Sequence, residues 1–336
     1  METFELQKHF FKQLKGKHSS NVSLVDEIAD LLSISNDSAY RRIRGEKPVS
    51  LEELQKLCKH FRISADNLMN IESNSVVFFG SYADTVNFDF EKYMTDFLMN
   101  VKLINSAKSK TIYYDAKDIP LFHYYQIKEL TAFKCFFWMR TILSYPEYNK
   151  LSFEDFKLPD NLLSIGSDTN KTYNQIPSVE IWTSETLTSA LRQIEFYCES
   201  GVFKKRETAE MLYNKVRDLI LHIKEEAEIG EKFEIGEKPT GNKNNYRLFV
   251  NQVQLGHNNV LAETDGTKTA FVNHGVMNYM ITRDEKFCDF TKKSIENMMS
   301  KSSLISSVSE KERNRFFKIL LDKIDRLKEE LNRMSF

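Results

Sequence analysis

Four serines divide the N-terminal part of the chain into short amphipathic segments, and this punctuation restricts the fold more than any other feature. Ser23, Ser35, Ser50 and Ser64 each precede a stretch that can begin a helix. Serine is a strong N-cap because its hydroxyl accepts from the orphaned amides of a first turn. Ser50 with Glu53 has the S-x-x-E spacing of a reciprocal capping box. Apolar residues recur at helical spacing behind the caps: Leu24, Ile28, Leu31 and Leu32, then Leu51, Leu54, Leu57 and Phe61, with Leu68 behind Ser64. Phe4, Leu6, Phe10, Phe11 and Leu14 form the same pattern ahead of them. Segments this short cannot stand alone, so the expectation is a compact bundle of five helices.

The texture changes near residue 72, where polar IESNS gives way to VVFFGS (76–81), the first strand-like run. The reading is therefore a helical domain over 1–72 and a larger α+β region over 73–336. A second α+β feature is a four-stranded antiparallel meander at the C-terminal side, with strands at 246–255, 259–264, 268–273 and 276–282. Asp265-Gly266 suits a type I′ turn, which needs positive φ at both central residues. The polar stretch 145–178 reads as a long connection with short helical turns and a possible sub-boundary. The segment 229–245, with IGEK twice, reads as a flexible loop, since one short duplication is no solenoid. Thr282 with Glu285, and Ser309 with Glu312, offer further helix caps. The last helix carries Phe317, Leu320, Ile324, Leu327 and Leu331 at heptad-like spacing, a seam that can pair two chains or pack on its own domain.

Composition excludes several classes. Lys plus Arg (47) balances Asp plus Glu (48), so binding to nucleic acid must come from a local patch. The cysteines Cys58, Cys135, Cys198 and Cys288 form no C-x-x-C pair, which argues against a disulfide framework or structural zinc and for a reducing cytoplasm. No apolar run reaches the length of a membrane span or suits a secretion signal. No phosphate-binding glycine loop and no H-E-x-x-H is present. His257, His274, Asp265 and Cys288 are conceivable nucleophile partners. Nothing in the sequence sets their geometry, so the expectation is no enzyme, no metal and no cofactor. Asp115 and Asp118 in TIYYDAKDIP are read as solvated or capping acids at a strand end. The aromatic run at 122–140, with Phe133, Phe136, Phe137 and Met139 at helical spacing, is read as core before pocket.

The segment that carries chemistry is SNDSAYRRIRGE (35–46). Ile28-Ala29 and Leu32 precede a turn at Ser33-Ile34. Ala39 is a small residue able to face the preceding helix, and Arg44-Gly45 closes the segment. In this order they resemble the lambda-repressor-like (Cro/XRE-type) helix-turn-helix domains of bacterial transcription regulators, and within them the BetR-like variety. The resemblance covers residues 3–70. Two positions depart from it: Ser33 where glycine is frequent, and Arg42 where an apolar residue is usual, with Ile43 supplying the apolar group one residue later.

The resemblance implies that the helix opened by Ser35 lies in the major groove of double-stranded DNA at an operator. The contact candidates are Ser35, Asn36, Asp37, Ser38, Tyr40, Arg41 and Arg44, with Lys47 suited to phosphate. Arginine reads guanine O6 and N7, and asparagine reads adenine, each in a bidentate manner. The remaining 260 or so residues are then expected to sense a small-molecule or protein effector and to hold a homodimer. The competing expectation is an antitoxin-like or protein-interaction module whose helix-turn-helix serves autoregulation.

Overall fold

The computed structural model describes residues 5–17, 23–61, 75–80, 88–242, 244–253 and 257–331. The expected fifth helix at Ser64 and the expected boundary at 72 lie outside these residues. The chain divides into two compact units, 1–77 and 78–336.

Four described helices build the first unit: α1 (Glu5–Lys17), α2 (Leu24–Leu32), α3 (Asn36–Ile43) and α4 (Leu51–Phe61). Phe10, Phe11, Leu14, Ile28, Ala29, Leu32, Ala39 and Leu57 form its buried core. The serine caps behave as the sequence leads one to expect. Ser23 Oγ accepts from the Val25 amide at 3.3 Å, and Ser35 Oγ from the Ser38 amide at 3.2 Å. Ser50 and Glu53 exchange both bonds of the capping box, at 3.2 and 3.1 Å.

The second unit is a seven-stranded mixed sheet between helices. Its strands are β1 (Lys110–Asp115), β2 (Ser178–Trp182), β3 (Tyr246–Val250), β4 (Asn259–Thr264), β5 (Thr267–Asn273), β6 (Tyr279–Thr282) and β7 (Ser303–Leu304). The order across the sheet is β6-β5-β4-β1-β2-β3-β7. The three central strands are parallel, with Ile112 opposite Ser178 and Ser178 opposite Tyr246. Strand β4 runs antiparallel to β1, and β7 antiparallel to β3.

This corrects the expected meander. Only β4, β5 and β6 form one; β3 leaves it and pairs with β2. In the strand order β4 lies on the other side of β1 from β2 and β3. The physical reason is burial: Tyr246, Leu248, Phe249 and Val250 are all buried, as suits an interior parallel strand covered on both faces. The Asp265-Gly266 turn is as expected, with φ of 46° and 83° closing a two-residue hairpin between β4 and β5.

One face of the sheet carries most of the helices: α5 (Phe90–Ser106), the short α6 (Leu121–Tyr124), α7 (Lys128–Phe137), α8 (Asp160–Asn174), α9 (Thr188–Glu199), α10 (Arg206–Ile229) and α12 (Glu310–Leu331). The core on this side includes Phe133, Phe136, Phe137 and Met139, so the aromatic run is core. The other face is covered by α11 (Glu285–Ser300), whose Cys288, Ile295 and Met298 pack on Val179, Ile181, Phe249, Leu261 and Ala270. Strand alternation sends Val179 and Ile181 to α11, and Glu180 and Trp182 to the opposite side.

Three further expectations change. The connection at 145–178 contains α8, a full helix. The first IGEK copy is built into the interior, because Glu231, Lys232 and Phe233 are buried. Glu231 accepts from the Thr240 amide at 2.7 Å, Thr240 Oγ1 at 2.6 Å and the Gly241 amide at 2.9 Å. The heptad seam of α12 is occupied within the chain: Phe317, Leu320, Ile324 and Leu331 are buried, and α12 packs along α10. A smaller change concerns α11, which is capped by Asp284 accepting from the Phe287 amide at 2.8 Å, with Thr282 two residues outside.

Candidate nucleic-acid interface

The turn between α2 and α3 is a Schellman motif: the Ile34 amide donates to Ala29 O at 2.9 Å and the Ser33 amide to Asp30 O at 3.2 Å. Ser33 takes the left-handed conformation (φ 54°, ψ 49°), the position where glycine costs least. The departure at Ser33 is therefore a tolerated strain and leaves the turn geometry intact. Ala39 has no exposed surface, which lets α3 approach α2 closely.

Arg42 settles the second departure. It is 5% exposed and points inward. Its Nε and Nη2 donate to the two Glu53 carboxylate oxygens at 2.9 and 2.6 Å, and its Nη1 donates to Ser38 Oγ at 2.7 Å. A bidentate guanidinium–carboxylate pair satisfies the buried charge. It holds the Glu53 carboxyl below the usual carboxylate range, the Arg42 hydrogen bonds outweighing burial. Glu53 also closes the Ser50 cap, so one carboxylate ties α3 to the start of α4. From α1, Gln7 Nε2 donates to the carbonyls of Arg42 and Lys47 at 2.7 and 2.8 Å, and its Oε1 accepts from the Val49 amide at 3.1 Å. Both ends of the loop after α3 are thereby fixed.

With Ala39 and Arg42 inward and Ile43 packed on the core, the helical period sends Asp37, Tyr40, Arg41 and Arg44 to the opposite side. These form one stripe at i, i+3, i+4 and i+7. Tyr40 is 48% exposed, and the Arg44 guanidinium lies 4.8 Å from its ring centroid, an arrangement that orients the side chain. Glu46 stands 3.9 Å from Arg41 and 3.8 Å from Arg44. At this exposure such pairs are weak and exchange readily with water or another anion. Lys47 is exposed beside them.

The other candidates have local duties. Ser35 caps α3, Ser38 Oγ receives Arg42, and Asn36 Nδ2 donates to Asp26 Oδ1 at 2.7 Å. Sequence reading missed Gln7, Arg42 and Glu53 as the residues that position the stripe. The one signal was an arginine in an apolar slot, which requires a buried acid nearby.

In the second unit, Glu180 is fully buried and collects four donors: Tyr173 Oη at 2.6 Å, His123 Nε2 at 2.9 Å, Trp182 Nε1 at 2.8 Å and Tyr246 Oη at 3.1 Å. Burial pushes its pKa up, but the His123 charge and hydrogen bond, Tyr173 and Lys232 together hold it below the ordinary value. Lys232 donates to the Tyr173 and Ile176 carbonyls at 3.0 and 2.7 Å. Burial pushes this ammonium down to about 7, against the opposing pull of Glu180 and Glu226. The cluster is buried within the core of the second unit.

The remaining candidates are dispersed. Cys288 Sγ faces the carbonyls of Lys268 and Thr282, each at 3.7 Å. Asp265 accepts from the Ser109 amide at 2.9 Å, and His257 Nδ1 lies 3.3 Å from Asp115 Oδ2. Of the two readings, solvated or capping, Asp115 is buried and accepts from the His257 amide at 3.3 Å, and Asp118 accepts from Asn258 Nδ2 at 2.9 Å. Among the described residues no group of three or more His, Cys, Asp or Glu is placed to hold a metal ion, and no helix is long and apolar enough to cross a membrane.

A capped helix, a tight left-handed turn and a second helix with a polar outward stripe make the first unit a helix-turn-helix domain. The comparison with known families agrees: residues 10–84 match the BetR domain, a helix-turn-helix family. Neither the curated proteins nor the solved structures contain a match to the chain.

Proposed function

We propose that the protein is a sequence-specific transcription regulator that reads an operator in double-stranded DNA through α3. The observation that carries this reading is the division of labour in α3. Arg42 is withdrawn into a bidentate pair with Glu53, while Tyr40, Arg41 and Arg44 share one exposed stripe with Asp37. A helix so anchored can enter the major groove as a rigid body. Arg41 and Arg44 are the guanine readers, Asp37 accepts from a cytosine amino group or orients an arginine, and Lys47 meets phosphate. Glu46 is displaced from the two arginines as they engage bases.

In this reading the second unit senses an effector and pairs two copies, so that two α3 helices address half-sites one DNA turn apart. The pairing surface is other than the α12 seam, which is already filled. The reading places the protein in the cytoplasm with its DNA and assigns it no catalytic role. The test is the double substitution Arg41→Ala with Arg44→Ala, measured by fluorescence anisotropy against a selected operator. Loss of two bidentate contacts weakens specific binding by about 2–6 kcal/mol, a drop of at least ~30-fold, with unchanged circular dichroism. Operator affinity equal to that of the wild type contradicts the reading.

A further inference from the structure

A groove of about 520 Å³ opens in the second unit beyond the carboxyl ends of β1 and β2. Lys117 and Asp118 reach it from the loop after β1, Glu185 from the loop after β2, Arg192 and Gln193 from α9, and Phe137 from the end of α7. Loops beyond the carboxyl ends of parallel strands are the usual place for ligands in sheets of this kind. The volume suits a small organic molecule.

The charges on the wall are unequally satisfied. Glu185 is paired with Lys323 Nζ at 2.8 Å and accepts from Thr188 Oγ1 at 2.8 Å. Asp118 is held by Asn258 and lies within the field of Lys134. Lys134 is 6% exposed; its Nζ donates to Gln193 Oε1 at 2.7 Å and sits 4.3 Å from the centroid of the Tyr124 ring. Burial pushes this ammonium down to about 8. Lys117 and Arg192, by contrast, are exposed and make no ion pair among the described residues. The lining has two cations and two carboxylates; Glu185 is tied to Lys323 and Asp118 to Asn258, which leaves the Lys117 and Arg192 side chains as the charged groups turned to an incoming ligand. It also presents Phe196, a large aromatic ring left 49% exposed, with Phe137 on the same wall.

We infer that this groove binds a small organic anion with a planar aromatic body, its phosphate or carboxylate meeting Arg192 and Lys117 and its ring lying against Phe196 and Phe137. Guanidinium is the side chain best matched to a planar or tetrahedral oxyanion. The aromatic wall supplies area and orientation. The assignment deepens the sensing role proposed for the second unit and rests on it only for the consequence on DNA, because occupancy is measured without DNA.

The experiment is isothermal titration calorimetry on the full chain with adenosine 5′-monophosphate, benzoate, adenosine and inorganic phosphate as probes. The expected result is saturable binding of at least one aromatic anion, with the uncharged nucleoside and bare phosphate each weaker by roughly tenfold or more. A phosphate source and a carboxylate source are told apart by which of the first two probes binds. Arg192→Ala with Lys117→Ala weakens that probe by roughly tenfold or more and leaves the melting temperature unchanged, since both side chains are exposed. Phe196→Ala separately weakens the aromatic anion and leaves bare phosphate unaffected. No saturation by either aromatic anion at millimolar concentration, or equal binding by the double variant, overturns the site. Binding that leaves operator affinity unchanged overturns its role as effector site, while failure of the α3 variants to lose DNA affinity bears on the DNA reading alone.

Discussion

Arg41 and Arg42 are neighbours with opposite surroundings, and the difference follows from the helical period. A residue three positions from the buried Ala39 must point inward, so Arg42 is desolvated and requires a carboxylate; Arg41 stays in water. Glu53 meets that requirement with two hydrogen bonds and also caps α4. Arg42→Ala leaves Glu53 without its partner, Ser38 without its donor and a gap behind α3. The expected loss is about 2–4 kcal/mol from the first unit, read as a lower urea midpoint, with DNA binding lost as the domain unfolds. A midpoint within about 0.5 kcal/mol of wild type, the range of ordinary surface substitutions, contradicts a structural role for Arg42. The sequence showed that an arginine occupied an apolar slot. It could not show which acid would meet it, because Glu53 is eleven residues away and on another helix.

At the scale of elements, what was legible was local. The caps at Ser23, Ser35 and Ser50, the Asp265-Gly266 turn and the apolar stripe of α12 each depend on residues a few positions apart, and each reads correctly from spacing alone. Helix α8 was missed because its inward face is largely polar: Thr169, Asn170, Thr172 and Asn174 are buried, so the apolar period is faint. Strand β3 was recognised as a strand but given the wrong neighbour, since pairing with β2 spans the whole of α9 and α10. Strand β2 hides the same kind of information, because an isolated glutamate in SVEIW gives no hint of four donors waiting around it. Glu180→Gln replaces an oxygen acceptor with an amide donor facing those groups. It is expected to cost the second unit about 3 kcal/mol by chemical denaturation, and an unchanged midpoint would mean that the cluster contributes no net stability. The pH dependence has a definite sign. The Glu180 pKa is depressed in the folded state, so its contribution is present above the unfolded value and is lost as pH falls through the folded one. The variant should therefore show a shallower loss of stability on acidification below the ordinary carboxylate range.

At the scale of the molecule, the two units hold separate hydrophobic cores, one centred on Phe10, Leu14, Ile28 and Leu57 and the others built on the two faces of the sheet. Calorimetry of the full chain is expected to resolve two unfolding transitions. Arg42→Ala should lower only one of them and Glu180→Gln only the other. A single transition moved equally by both variants contradicts independent cores. The family match stops at residue 84, so the DNA-reading claim rests on the first unit and the sensing claim on the geometry of the second. The most direct test of the central claim is an unbiased selection of random double-stranded DNA on the full-length protein, run in parallel on Arg41→Ala with Arg44→Ala. The account predicts that the wild type enriches a defined motif, with guanines at the positions that Arg41 and Arg44 address, and that the folded double variant enriches none. Recovery of the same motif by both proteins, or of no motif by the wild type, would contradict it.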